Sequence, residues 1–199
     1  MELPGWISLA GALVQMRISW IASHTHAWPV DVNIDDIKNV GPIWSSWRAW
    51  RACHSDNVVC DDLGHARALL ARAFQAVCNL HLPRRLYQDL TRPQGVRWYD
   101  GAYQEQVQCI DDIIAMHLSA QHSDVILLTG FDFGRSTVSG DAVQDHMTRN
   151  QKGLARQVIL DNPLVQWVVL DHAPELDPAF ADIANFTRDS MQNALKLLT

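Results

Sequence analysis

Apolar and polar positions follow two rhythms along this chain. Four short, continuous apolar runs are rich in β-branched and aromatic residues: RISWIAS (17–23), NVVCDD (57–62, closing in two acids), VILLTG (125–130) and VQWVVLDH (165–172). Runs of this length and composition predict strands. A shorter strand is predicted over Val96–Tyr99, between turn signals. The second rhythm is helical. IWSSWRAWRACH has apolar residues at 43, 44, 47, 50 and 53, which predicts a helix over 43–54. Further helices are predicted over 63–82, stopped by Pro83, over 103–122, over 141–160 and over 177–198. The last opens with Asp177 as N-cap and Pro178 at its first position. A polar connection over 24–42 carries two prolines and a glycine, and loops of that length are usually functional or disordered.

Strands alternate with helices, and the strands are apolar throughout rather than on alternate residues. That combination predicts a mostly parallel sheet covered on both faces, a three-layer α/β Rossmann-like fold. No internal repeat interrupts it. Residues 16–199 are expected to form a single domain, and 1–15 an apolar extension too short to span a bilayer. Glu2 stands where a signal peptide wants positive charge. A natural start at Met16 and a docking helix are both open readings of the extension.

Composition narrows the partners. With 199 residues the chain can bury one sizeable core. The formal net charge is −6, and the densest basic stretches are only Arg48/Arg51 and Arg84/Arg85, which argues against duplex nucleic acid. Cys53, Cys60, Cys78 and Cys109 form no C-x-x-C pair. Three of them lie in apolar patterns, as expected of buried thiols in a reducing, cytoplasmic setting. Eight tryptophans and an apolar amino terminus predict a homo-oligomer.

Candidate chemistry gathers at strand ends, because open α/β sheets bind ligands at the carboxyl ends of their strands. Asp61/Asp62, Asp132 and Asp171/His172 each follow a predicted strand. Gly130 lets the chain turn or a ligand approach closely. Asp132, between Phe131 and Phe133, either binds a ligand hydroxyl or base, or caps the next segment. His172 is either a general base or a loop histidine bonded to a carbonyl. Asp61 and Asp62 point apart if extended, so they form no carboxylate pair by themselves, and one of them is expected to cap the next helix. A helix starting near Gly41 would present free N–H groups to an anion, with Asn39, Ser45, Ser46 and Arg48 adding contacts. The alternative there is an ordinary first turn with Pro42 at its start. His24 and His26, with Asp31, Asp132 and His172, are an alternative metal-ligand set.

The stretch IDDIIAMHLSAQHSDVILLTGFDF places a helix, a polar turn, an aliphatic strand and then G-x-D-F in succession. It resembles the middle of bacterial sialyltransferases and of related 6-hydroxymethylpterin pyrophosphokinase-like Rossmann proteins. The resemblance covers about a quarter of the chain. It implies that Asp132 and Gly130 lie near a nucleotide-bearing substrate. Those families also carry an early Gly-Pro-Ser loop for phosphates, whose nearest counterpart here is Asn39, Gly41, Pro42, Ser45 and Ser46, interrupted by Val40 and Ile43-Trp44.

The leading expectation is a small nucleotide- or nucleotide-sugar-using transferase, with Asp132 and His172 catalytic and Asn39, Gly41, Ser45, Ser46, Arg48, Asp62 and Gly130 binding the phosphorylated ligand. A metal-dependent hydrolase using His24 and His26, and a non-enzymatic oligomeric interaction protein, are the competing expectations. The sequence leaves the cofactor unknown.

Overall fold

Trp20 and Ile21 have no exposed surface, because their strand, β1 (Ile18–Ala22), lies inside the sheet with a neighbour on each side. The computed structural model describes residues 16–23, 37–100, 111–131, 142–170, 178–190 and 193. Seven further strands join β1: β2 (Ile43–Ser46), β3 (Asn57–Val59), β4 (Asn79–Pro83), β5 (Val96–Tyr99), β6 (Val125–Thr129), β7 (Gln166–Leu170) and β8 (Phe186–Asp189). Their order across the sheet is β5-β4-β3-β2-β1-β6-β7-β8. All seven pairings are parallel. The chain therefore builds outward from β1 to β5, then returns to the other side of β1 to begin β6. The reversal between β1 and β6 is the topological switch point, where sheets of this kind open a crevice at their carboxyl ends.

Alternating side chains point to opposite faces of a strand. On one face Ile21, Trp44, Val59, Leu128 and Trp167 pack against α4 (Asp111–Ala120) and α5 (Ala142–Asp161) through Ile113, Met116, Ala155 and Ile159. On the other, Val58, Leu80 and Leu82 pack against Ala66 and Phe74. Ala66 belongs to α2 (Leu63–Ala71), and partly buried Leu86 of α3 (Arg84–Asp89) joins the same layer. Trp20, Ile43 and Leu127 continue this second face with Cys53 of the short helix α1 (Trp50–Cys53). Each fully buried aliphatic side chain contributes about 1.5–3 kcal/mol. Two helical layers around a parallel sheet make the three-layer α/β fold expected from the sequence.

Three expected helices are different in the structure. Residues 43–54 begin as β2 and become helical only at α1. All four β2 residues are buried between β1 and β3, so sheet pairing outweighs the helical spacing. Trp47 and Trp50, which create that spacing, pack on the α2 layer instead. The helix over 63–82 ends at Ala71, and Ala73 has a left-handed backbone with φ 52°. Beyond it Leu80 and Leu82 alternate with His81, giving β4. Pro83 closes that strand rather than a helix. Residues 177–198 contain the edge strand β8 after a 3₁₀ turn at Pro178–Phe180.

Among the described residues no helix is long and apolar enough to cross a membrane. Tryptophan surface is largely internal: Trp20, Trp44 and Trp167 are buried, and Trp98 is 46 % exposed. The three described cysteines are free thiols. Burial pushes Cys60 and Cys78 up to about 12, so both stay protonated and unreactive at neutral pH.

Candidate functional site

The carboxyl edge collects more acids than the strand ends alone supply. β3 leads into Asp61 and Asp62, which part as their spacing requires. Asp62 caps α2, its Oδ1 accepting the His65 amide at 2.7 Å and meeting the His65 ring at 2.8 Å. These two contacts pull its carboxyl below the ordinary range. Asp61 turns toward α4, and its amide donates to Asp111 Oδ1 at 3.1 Å. The next residue of α4, Asp112, accepts a 2.7 Å hydrogen bond from the Ser23 hydroxyl, just beyond β1.

Asp111 is the unusual group. It is 2 % exposed, and its Oδ2 is buried without a hydrogen-bond partner among the described residues. A position in the first turn of a helix favours an ionised acid. Here the opposing effects are larger. Burial first, then the facing Asp61 carboxyl and the neighbouring Asp112, push Asp111 well above the usual carboxylate range, against the pull of Arg48. Burial and the closeness of Asp61 to Asp111 together favour a proton on the pair, because two close carboxylates do not both ionise readily. A carboxyl raised in this way beside a second acid can give or take a proton.

The rim's other groups are arranged around this pair. Gly130, after β6, takes a positive φ of 74°, so the chain turns there as a glycine permits. The Ser23 amide donates to the Thr129 carbonyl at 2.9 Å, closing β1 against β6 at the switch point. Arg48 follows β2, with its guanidinium 5.1 Å from the centre of the Trp47 ring, and Trp47 stacks on His65 at 3.6 Å. Among the described residues no cluster of three or more His, Cys, Asp or Glu side chains is arranged to hold a metal ion.

The structure brings Asp61, Asp62, Ser46, Arg48 and Gly130 to the carboxyl side. Asn39 and Gly41 are at the opposite, amino edge, in the turn before β2, where the Val40 and Gly41 amides donate to the Ile37 carbonyl. No helix starts at Gly41, so the expected anion site there is corrected. Its glycine is needed for another reason: a Cβ would stand 2.0 Å from the Ile18 carbonyl oxygen. Ser45 points to the α1 face, fully buried, and accepts from the Ser55 hydroxyl. Ser46 is 1 % exposed beneath the rim. Neither serine opens a helix. His24, His26, Asp31, Asp132, Asp171 and His172 lie outside the described residues.

Sequence reasoning does not reach Asp111, Asp112 or Ser23. The signal available was IDDII, two acids opening a helix whose next element is a core strand. Such helices run back across the sheet from its carboxyl edge, which places their first turn at the rim. No family model, no curated protein and no solved structure matches this chain.

Proposed function

We propose that the chain is a small transferase acting on a nucleotide or nucleotide sugar at the carboxyl edge, with Asp111 and Asp61 as its acid–base pair. The supporting observation is Asp111: a buried carboxyl with an unpartnered oxygen, pressed against a second acid beside the switch point. In transfer to an acceptor hydroxyl, one carboxylate of the pair takes the hydroxyl proton as the new bond to the transferred group forms. The bond to the nucleotide leaving group breaks with its electron pair remaining on that group. Asp132 and His172, at the ends of β6 and β7 in sequence, would face the same ligand. The partial likeness of IDDIIAMHLSAQHSDVILLTGFDF to sialyltransferases supports the ligand class. The same reading takes the chain to be a cytoplasmic homo-oligomer, which a single 22.4 kDa species in sedimentation would overturn.

Calorimetry against a panel of nucleotides and nucleotide sugars tests the reading. At least one member should bind the wild type. Asp111→Asn should bind it within a few-fold while losing turnover. If no member binds the wild type, or if Asp111→Asn and Asp61→Asn both turn over at the wild-type rate, the assignment fails.

A further inference from the structure

Beyond the carboxyl pair, a pocket of about 380 Å³ opens between the outer strands and the end of α4. That volume falls within the range of small-molecule sites, roughly 300–1,000 Å³. Trp44, His81 and Arg97 come from β2, β4 and β5, and strand alternation puts all three on the α4 face. Tyr99 bounds the pocket toward the carboxyl edge, and His117 and His122 contribute from α4 and the turn after it.

The charges are uneven. Asp100 also lines the pocket, but its carboxylate is held at 3.0 Å by Arg84. Among the described residues no carboxylate pairs with Arg97. His81 is 6 % exposed, with Nε2 3.1 Å from Asn57 Oδ1 and its ring centre 4.9 Å from that of Trp44. Burial, then the positive charge of Arg97 and of His122, lowers His81 to about 4, so it is neutral at pH 7. Among the described lining residues the one carboxylate, Asp100, already has a cation beside it. An anion has a planar guanidinium whose fork matches two oxygens, with Gln121 and His122 beside it. Trp44, Trp98, Tyr99 and Leu118 add apolar surface to this mostly polar wall, which a ring can cover and a lone inorganic ion cannot.

We propose that this pocket binds a small oxyanion carried on a ring, a carboxylate or phosphoryl group gripped by Arg97, with the ring against Trp44 and Tyr99. The proposal stands independently of chemistry at the Asp111 pair.

The test is calorimetry of the full chain with benzoate and with phenyl phosphate, and with benzyl alcohol as the neutral counterpart. At least one anion should bind at millimolar concentration and change tryptophan fluorescence. Benzoate alone would identify a carboxylate site, and phenyl phosphate alone a phosphoryl site. Arg97 is exposed on an edge strand, so its substitution leaves the core intact. Arg97→Gln should weaken the anion about tenfold or more, as expected for loss of a charged hydrogen bond. Arg97→Lys should recover part of it. Asp111→Asn should leave it unchanged, which separates this site from the carboxyl pair. Binding of neither anion, equal binding of benzyl alcohol, or wild-type affinity in Arg97→Gln overturns the proposal.

Discussion

The two edges of the sheet use the same side chain in opposite ways. At the amino edge, acids are tied to donors. Asp124 accepts from the Arg17 amide at 2.8 Å and from its guanidinium at 2.8 and 3.3 Å, and Asp56 accepts the Ile43 amide at 2.8 Å. Beside them the Ser123 hydroxyl donates to that of Ser19 at 2.7 Å. The Arg17 contacts hold Asp124 below the usual carboxylate range. At the carboxyl edge, Asp111 is buried among acids and pushed well above that range. Acids at the first edge fasten strand starts together. The acid at the second is held in a state that folding alone does not favour, and the proposed function assigns that state a use.

The sharpest way to break this contrast is Asp111→Asn. Loss of an acid–base group should lower turnover by about 10²–10⁴-fold. The fold should gain rather than lose, and pH reveals why. Asp111 is raised in the folded state, so its contribution is full below its ordinary value of 3.8 and is lost as pH rises through its higher folded value. Asp124 is lowered, so its contribution is present above 3.8 and is lost as pH falls through its lower folded value. Thermal melts should show wild-type stability declining on the alkaline side of 3.8 as the buried Asp111 is forced to ionise. Asp111→Asn should flatten that decline and leave the acid-side loss in place.

Gly41→Ala tests whether the amino edge is structural alone. Its Cβ would meet the Ile18 backbone at 2.0 Å, where no flexible side chain can move aside. A loss of about 1–3 kcal/mol or more is expected from the denaturant midpoint, with ligand affinity of the folded protein unchanged. Asp56→Ala should cost about 1–3 kcal/mol, because it orphans the Ile43 amide at the start of β2. The smallest effect is at Asp62→Ala. Removing the cap of α2 should cost about 1 kcal/mol by denaturation and leave turnover unaltered, despite its position beside Asp61.

What was legible in the sequence follows from how each segment is buried. β1, β3, β6 and β7 are short, mainly apolar runs lying between neighbouring strands, a pattern readable from composition alone. β2 was concealed because Trp47 and Trp50 extend its apolar residues at helical spacing into the turn and helix that follow. β8 is an edge strand of four residues, made by its pairing with β7 more than by its own composition. The strand-end acids Asp61 and Asp62 were legible, and so was a helix cap from one of them, but Asp62, expected to bind the ligand, is the one that caps. Asp111 was not, since two acids opening an amphipathic helix look like a solvated first turn. Which strand end that turn meets depends on the sheet order, a property of the whole chain. Gly41 was read as the start of an anion-binding helix, and its missing side chain instead makes room for the backbone of β1.

The central place of β1 also sets a timetable for synthesis. Its partner β2 follows within a few tens of residues, but β6, the strand on its other side, begins more than a hundred residues later. The end of β6 follows the end of β2 by about 80 residues, so at about 5–20 residues per second roughly 4–16 s separate the two pairings on the ribosome. During that interval the first five strands can associate, while β1 presents an unpaired hydrogen-bonding edge. Such an edge is a template for pairing with another nascent chain. Parallel pairing across so long a loop is also intrinsically slow. The yield of folded protein is therefore governed by how well that half-built sheet is shielded until Val125–Thr129 arrives.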